Sequence, residues 1–351
     1  MRCSLKKAIN RKFTFIDLFA GIGGFHIGLK SAGGQCLYSN EWNSFAAKTY
    51  EAWTGHQPDQ RDLRTVDIAN AIPSHDVLSA GFPCQPFSLA GVSKKESLGR
   101  EHGFKDLDQG NLFFAISDIV AHHQPKVVFL ENVKNLRSHD KGKTWEVIQS
   151  TLENLGYHVT WKVIDARNWV PQHRERVFIV ALRKDLWSEK DAKSFLFPDG
   201  AGLPKRNLGD ILESSPSQKY MLTERLWEYL QEYAAKHKAL GNGFGFSIAE
   251  RDSHTRTLSA RYHKDGSEIL IREPGWPRPR RLTPGEAREL MGFTSEIAAS
   301  ANLSGDYPQV VSDTQSYRQF GNSVSPLVVR SVGDEISRIL QTIPSNHLFQ
   351  L

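Results

Sequence analysis

The first half of the chain alternates short runs of β-branched and aromatic residues with longer stretches whose apolar positions recur at helical spacing. "FTFIDLFA", "QCLYSNE", "HDVLSAGF", "KVVFLENV" and "RVFIVALR" read as strands, with helical segments mostly between them. Strands alternating with helices predict a doubly wound, mostly parallel α/β sheet. The pattern fades from about residue 184 to 280, where "FPDGAGLP", "GNGFGF" and "EPGWPRPR" bring Gly and Pro and only "TERLWEYLQEYAAKHKAL" keeps helical spacing. This stretch reads as a second, smaller, loop-rich module. Regular structure resumes at "LTPGEARELMGF": Thr283 as N-cap, Pro284 at the first helical position and Glu286 three residues after Thr283 form a capping box. The last apolar periodicity, "SPLVVRSVGDEISRILQTI", predicts a helix that packs back on the first module. The expected division is therefore 1–185 with 317–351 as one domain and 186–316 as the other.

A chain of 351 residues is long enough for two cores. Its three cysteines, Cys3, Cys36 and Cys84, are far apart and form no CxxC or Cys/His cluster, so neither a disulfide framework nor a bound metal is expected. That usage fits a reducing cytoplasm. The longest apolar run, "VFIVAL", has strand length, and no membrane span is expected. Net charge is only +5, but between Arg251 and Arg288 nine Lys/Arg stand against five Asp/Glu. A local basic surface suggests a polyanion partner, with a solvated charged face as the bland alternative.

"DLFAGIGGF" follows the first strand and opens a helix, with Gly21, Gly23 and Gly24 as tight-turn residues. The dinucleotide fingerprint would need Gly where His26 stands, which disfavours a pyrophosphate cradle. About 20 residues on, Glu41 ends the second strand, where a carboxylate can accept both ribose hydroxyls of a nucleoside. Trp42 can cover an adenine face, and Asp62, taken to follow a third strand, can accept from the adenine amino group. A glycine turn with these acids and no phosphate motif points to a nucleoside cofactor such as S-adenosylmethionine. Singly, each acid could equally be an exposed strand-end carboxylate.

In "GFPCQPFS", Cys84 sits between Pro83 and Pro86, after what this count makes the fourth strand. The next strand ends in "LENV" with Glu131, and "PQHRERVF" carries Arg174 and Arg176 into the strand after that. Each has an innocent reading as a buried thiol, a helix cap or a strand-start charge. Together, at the carboxyl ends of neighbouring strands, they supply a nucleophile, a proton donor and an anion clamp, as addition to an electron-poor ring requires.

"DLFAGIGGF", "NEW", "GFPCQPFS", "LENV", "QHRERVF", "RLTPGEARELMGF" and "QFGNSVSPLV" resemble, in order, the motif series of the DNA cytosine-5 methyltransferases, over residues 13–185 and 281–330. "ENVKNL", "GNGFGF" and "VSDTQSYRQFGNSV" make the chain most similar to the family's Dcm-like branch. The resemblance implies a Rossmann-like methyltransferase fold with a target-recognition domain. It implies that Cys84 adds to C6 of a flipped cytosine, that Glu131 serves N3, and that Arg174 orients the base carbonyl with Arg176 in support. Gln85 to Gly110 would be a lid. The cofactor pocket should take Phe19, Gly21, Glu41, Trp42, Asp62 and Phe82, completed by Asn322, Ser323 and Val324 from the C-terminus. Thr257 matches a Thr-Leu pair that marks the recognition region, and Arg256, Arg261, Tyr262 and Lys264 are candidates for contacts to double-stranded DNA. The implied enzyme is monomeric, works in the bacterial cytoplasm, and methylates the inner cytosine of CCWGG, with CCGG or a related site as the alternative. A cognate restriction endonuclease is a candidate partner. Two rivals stand beside it: a tRNA cytosine-5 methyltransferase, disfavoured because no cysteine follows Cys84, and a DNA-binding protein without catalysis, disfavoured because thiol, acid and arginines are all present.

Overall fold

A computed structural model of the protein describes residues 12–83, 112–303 and 307–343. Six strands, β1 (Phe13–Leu18), β2 (Gly34–Asn40), β3 (Val77–Gly81), β4 (Val127–Val133), β5 (Tyr157–Asp165) and β6 (Glu175–Arg183), form one sheet in the order β2-β1-β3-β4-β6-β5. The pairs from β2 to β4 are parallel, while β6 runs antiparallel to both β4 and β5. Both faces of the sheet are covered, which is why the central strands read as nearly continuous apolar runs. Alternate residues divide between two cores. Phe15, Val77, Phe129, Phe178 and Val180 pack with Phe25 and Leu29 of helix α1 (Gly24–Ser31) and with Val328, Val332 and Ile336 of the C-terminal helix Pro326–Leu340. Ile16, Leu78, Val128, Leu130 and Ile179 pack on the other face with Phe113, Ile116 and Val120 of the helix Leu112–His123 and with Ile148 and Leu152 of the helix Lys143–Asn154. Each large side chain so buried contributes roughly 1.5–3 kcal/mol.

The five strands expected from the sequence are all present, and the C-terminal helix does return to the first module, against α1. Three details differ. Strand β5, "YHVTWKVID", was not anticipated, because at the sheet edge most of its residues are only half-buried and no long apolar run marks it. No strand precedes Asp62: there the chain makes only an isolated bridge from Asp59 to Asn40, so the strand that leads to Cys84 is the third. The third concerns the arginines. Because β6 is antiparallel, Arg176 lies at its amino-terminal end, and the reversal is what brings it to the carboxyl edge of β4, where Val133 pairs with Arg176.

The loop-rich stretch has a small apolar cluster of its own, around Leu222, Leu230 and Leu270, but most of its buried residues pack on the first module. Leu208, Leu258, Ile269, Leu282, Met291 and Phe293 join Ile22, Ile27 and Trp53 of the first module in a single apolar cluster. The expected capping box at Thr283 is present, with Glu286 answering the N-cap amide. Arg280, fully buried, binds Glu286 at 2.7 Å and Glu273 at 2.6 Å, and Arg251 also reaches Glu273. Part of the basic stretch is thus internal and neutralised. Close backbone packing joins this stretch to the C-terminal one: a Cβ on Gly321 would lie 2.3 Å from the backbone of Ser259 and Ala260. Gly321→Ala is therefore expected to lower stability by about 1–3 kcal/mol in denaturant unfolding, since the overlap is with backbone that cannot rotate away. A loss under about 0.5 kcal/mol would show that the two segments separate easily. No helix among the described residues is long and apolar enough to cross a membrane.

Candidate active site

The carboxyl ends of β1 to β4 open on a cavity of about 980 Å³. One half is built by the glycine turn and the ends of β1 and β2. Phe19, Gly21 and Gly23 take left-handed backbone angles, φ 54°, 56° and 91°, which fold the chain sharply between β1 and α1. The turn is pinned by Glu41, whose carboxylate accepts from the Gly21 amide at 2.8 Å and the Asn43 amide at 2.7 Å. Burial pushes the Glu41 carboxyl up, and these two amides pull it back. Each oxygen keeps acceptor capacity for a hydroxyl. Trp42 lines the cavity yet is 71% exposed. Asp62 caps a short 3-10 turn and is held ionised, below the usual carboxylate range, by Arg64 at 2.5 Å. Phe82, Asn322 and Ser323 complete this wall.

Gly23 and Val324 do not line the cavity. Gly23 is the N-cap of α1, and a Cβ there would meet the Tyr50 ring at 3.3 Å. Val324 lies against Gly24, where a Cβ would come within 2.5 Å of the Val324 carbonyl oxygen. Their part is to hold the glycine loop against the C-terminal segment.

The other half centres on Glu131. Phe178 is its partner across β4 and β6, so Arg176, two residues from Phe178 on the same face, is its diagonal neighbour. Arg176 Nε lies 3.1 Å from Glu131 Oε1, and both side chains face the cavity. Burial raises the Glu131 carboxyl above its ordinary range, while Arg176 and then Arg174 draw it down. A carboxyl so placed holds a proton at higher pH than a free glutamate does. The next residue, Asn132, donates to the Phe82 carbonyl at 2.8 Å and accepts from the Val133 amide. This fixes where the chain leaves β3 for Pro83, which lines the cavity and is followed in the chain by Cys84. Cys84 and the segment from Gln85 to Gly110 lie outside the described residues.

Arg174 is not where the sequence suggested. It is 3% exposed and absent from the cavity wall: its guanidinium donates to the carbonyls of Leu258 at 3.0 Å, Gly321 at 3.0 Å and Ser323 at 2.6 Å. Burial and the neighbouring Arg176 push its pKa down to about 9, against the pull of Glu131. With both of its terminal nitrogens donating to backbone carbonyls, Arg174 is turned away from the cavity, and the guanidinium that lines it beside Glu131 is that of Arg176.

Among the recognition candidates, Arg256, Arg261 and Lys264 are exposed. Thr257 is half-buried and donates to the His173 carbonyl at 2.6 Å. Tyr262 is buried, its hydroxyl donating to the Ile269 carbonyl and accepting from the Leu282 amide, so it serves the core and cannot touch a groove. The sequence reading passed over Gln315, Arg318 and Gln319, which line the cavity with Asn322. Their spacing in "QSYRQFGN", three, four and seven residues along one helix face, was the available signal.

Residues 13–338 match the family described as C-5 cytosine-specific DNA methylase. The "DNA-cytosine methyltransferase" of Escherichia coli K12 is 45% identical, over 89% of this chain and 75% of that one. The "Type II methyltransferase M.NlaX" of Neisseria lactamica is 42% identical over 94% and 98% of the two chains. Among solved structures, that of the S. pombe Dnmt2 methyltransferase superposes with a TM-score of 0.69 at 20% identity, covering 94% of this chain and 98% of that one, a likeness of fold.

Proposed function

The chain belongs to the C-5 cytosine-specific DNA methylases, and on that premise we propose that it methylates the inner cytosine of CCWGG in duplex DNA through a covalent adduct of Cys84 with the base. The observation that carries the chemistry is the buried Glu131 carboxyl paired with Arg176 in a cavity lined also by Pro83, the residue that precedes Cys84 in the chain.

The target atoms lie inside the stack of a duplex, so the base must be flipped into the cavity. There Arg176 donates to the O2 carbonyl, and the Glu131 carboxyl gives its proton to N3. The Cys84 thiolate forms a bond to C6 as the C5–C6 π pair moves to form a C4–C5 double bond and the C4–N3 π pair settles on the protonated N3, leaving a neutral enamine whose C5 is nucleophilic. S-adenosylmethionine supplies an electrophilic methyl group. After transfer, solvent water takes the C5 proton, the freed electron pair re-forms the C5–C6 double bond as the C6–S bond breaks and Cys84 leaves as thiolate, and N3 gives its proton back to Glu131.

Glu41 would take the ribose hydroxyls and Asp62 the adenine amino group, with Trp42 and Phe82 on the base and Phe19, Gly21, Asn322 and Ser323 closing the wall. We assign sequence reading to residues 186–316, with Arg256, Arg261 and Lys264 as the DNA contacts, and chemistry to 1–185 with 317–351. A monomer acting in the cytoplasm on both strands of a symmetric site, with a cognate endonuclease as candidate partner, completes the proposal. Bisulfite sequencing of unmethylated genomic DNA after incubation with the protein and S-adenosylmethionine tests it. Protected cytosines confined to the inner position of CCWGG are the expected result. Another fixed context, CCGG included, would keep the chemistry and refute the site; labelling of tRNA in place of DNA would overturn the substrate.

A further inference from the structure

Arg174 is a buried cation whose guanidinium forms no ion pair with a carboxylate among the described residues and serves three backbone carbonyls from two separate parts of the chain. One, Leu258, belongs to the segment that carries Arg256, Arg261 and Lys264. The others, Gly321 and Ser323, belong to the wall of the cavity. Hydrogen bonds to a charged donor are about twice as strong as neutral ones, and a buried carbonyl deprived of its donor costs about 1–3 kcal/mol. Neither segment can therefore move from the guanidinium without penalty.

The surroundings leave little slack. Gln172, fully buried, accepts from the Leu258 amide at 2.8 Å and donates to the Leu290 carbonyl at 3.1 Å. Thr255 and His173 exchange backbone bonds with the strand-leading segment, as His173 N to the Thr255 carbonyl and Thr255 N to the Pro171 carbonyl. Gly321 sits in direct contact with Ser259 and Ala260. Two residues beyond Arg174, Arg176 holds Glu131. A single rigid junction thus touches the recognition segment, the cofactor wall and the acid.

We propose that Arg174 is a positioning residue that couples the two binding events: occupation of the adenosyl end of the cavity fixes the segment around Leu258 in its DNA-binding arrangement, and DNA bound there fixes Gly321 and Ser323. The inference rests on the functional reading above, since it takes residues 256–264 as the DNA-contacting segment and Asn322 and Ser323 as cofactor wall. Coupling of this kind is reciprocal, and typical magnitudes are about 5–150-fold.

The test measures the affinity of a duplex carrying the site that bisulfite sequencing identifies, with and without saturating S-adenosylhomocysteine, and the affinity of S-adenosylhomocysteine with and without duplex. The unsubstituted protein is expected to bind each ligand at least about fivefold more tightly in the presence of the other. In Arg174→Lys and Arg174→Gln that ratio should fall to within about twofold of one. Loss of general integrity would weaken both ligands while leaving the ratio, so the ratio separates positioning from mere structure. Independent binding by the unsubstituted protein, or an unchanged ratio in either variant, overturns the proposal. Failure of the unsubstituted protein to bind S-adenosylhomocysteine at all overturns the functional reading with it. Hydrogen exchange on the unsubstituted protein needs no variant: S-adenosylhomocysteine alone should slow exchange of amides in 255–262, and indifference there also overturns the inference.

Discussion

Cys84→Ser is expected to reduce methyl transfer by about 10⁴-fold or more, the scale on which loss of a nucleophile acts. The reason is ionisation before it is size. A thiol near its ordinary pKa of about 8.5 is roughly 3% thiolate at pH 7, and any cation nearby raises that share. A serine hydroxyl at the same place is almost wholly protonated, and no residue described in the cavity is a histidine that could take its proton, as a serine nucleophile would need. Binding should survive, because the wall that would hold the cofactor is built by Glu41, Trp42, Asp62, Asn322 and Ser323, with Glu41 fixed by the Gly21 and Asn43 amides and Asp62 by Arg64. The measurement is tritium transfer from labelled S-adenosylmethionine to duplex DNA, beside the affinity of S-adenosylhomocysteine. Transfer by the variant above about 1% of the unsubstituted rate would show that another group attacks C6.

The parts of this site that could be read from the sequence were those set by strand ends. Hydrophobic runs located β1, β3, β4 and β6, and the residue after each of the first three is forced to the carboxyl edge, so Phe19, Phe82 and Glu131 could be placed together before any geometry was known, whereas Arg176 precedes its run and joins them only because β6 is antiparallel. What could not be read was side-chain direction where no period applies. Arg174 and Arg176 look alike in "PQHRERVF", yet Arg174 precedes β6 and turns into the junction with Leu258 and Gly321, whereas Arg176 faces Glu131. Tyr262 stands among exposed cations, but its hydroxyl has two backbone partners available inside, and burial with both satisfied is the better bargain. Asp62 was expected at the end of a strand, but its place is fixed by a cap and by Arg64, and no strand ends there. Edge strand β5 escaped because an edge needs only one buried face.

Glu131→Gln separates the acid's two consequences, and they have opposite signs. The substitution keeps the shape and removes the transferable proton, so kcat for methyl transfer should fall by about 10²–10⁴-fold, the range for a positioned acid. The pH profile should change with it. Burial raises the Glu131 carboxyl above its value in the unfolded chain, more strongly than Arg176 and Arg174 lower it. The protonated form is therefore the one the folded protein favours, and the alkaline limb of the unsubstituted rate should include the ionisation of this group. That contribution is absent from the Gln variant, whose residual rate should lose this limb. Stability follows the same linkage. For a carboxyl with a raised folded pKa, the favourable contribution is complete below the unfolded value and is lost as pH rises through the folded one. Glutamine mimics the protonated acid and has no charge to bury, so the stability of Glu131→Gln relative to the unsubstituted protein should increase with pH across that window. Thermal unfolding from about pH 4 to pH 9, beside the rate profile, reads both. A Gln variant that is inactive but whose relative stability falls with rising pH would mean that Arg176 stabilises an ionised Glu131 more than burial penalises it, and the proton on N3 would then have to come from elsewhere.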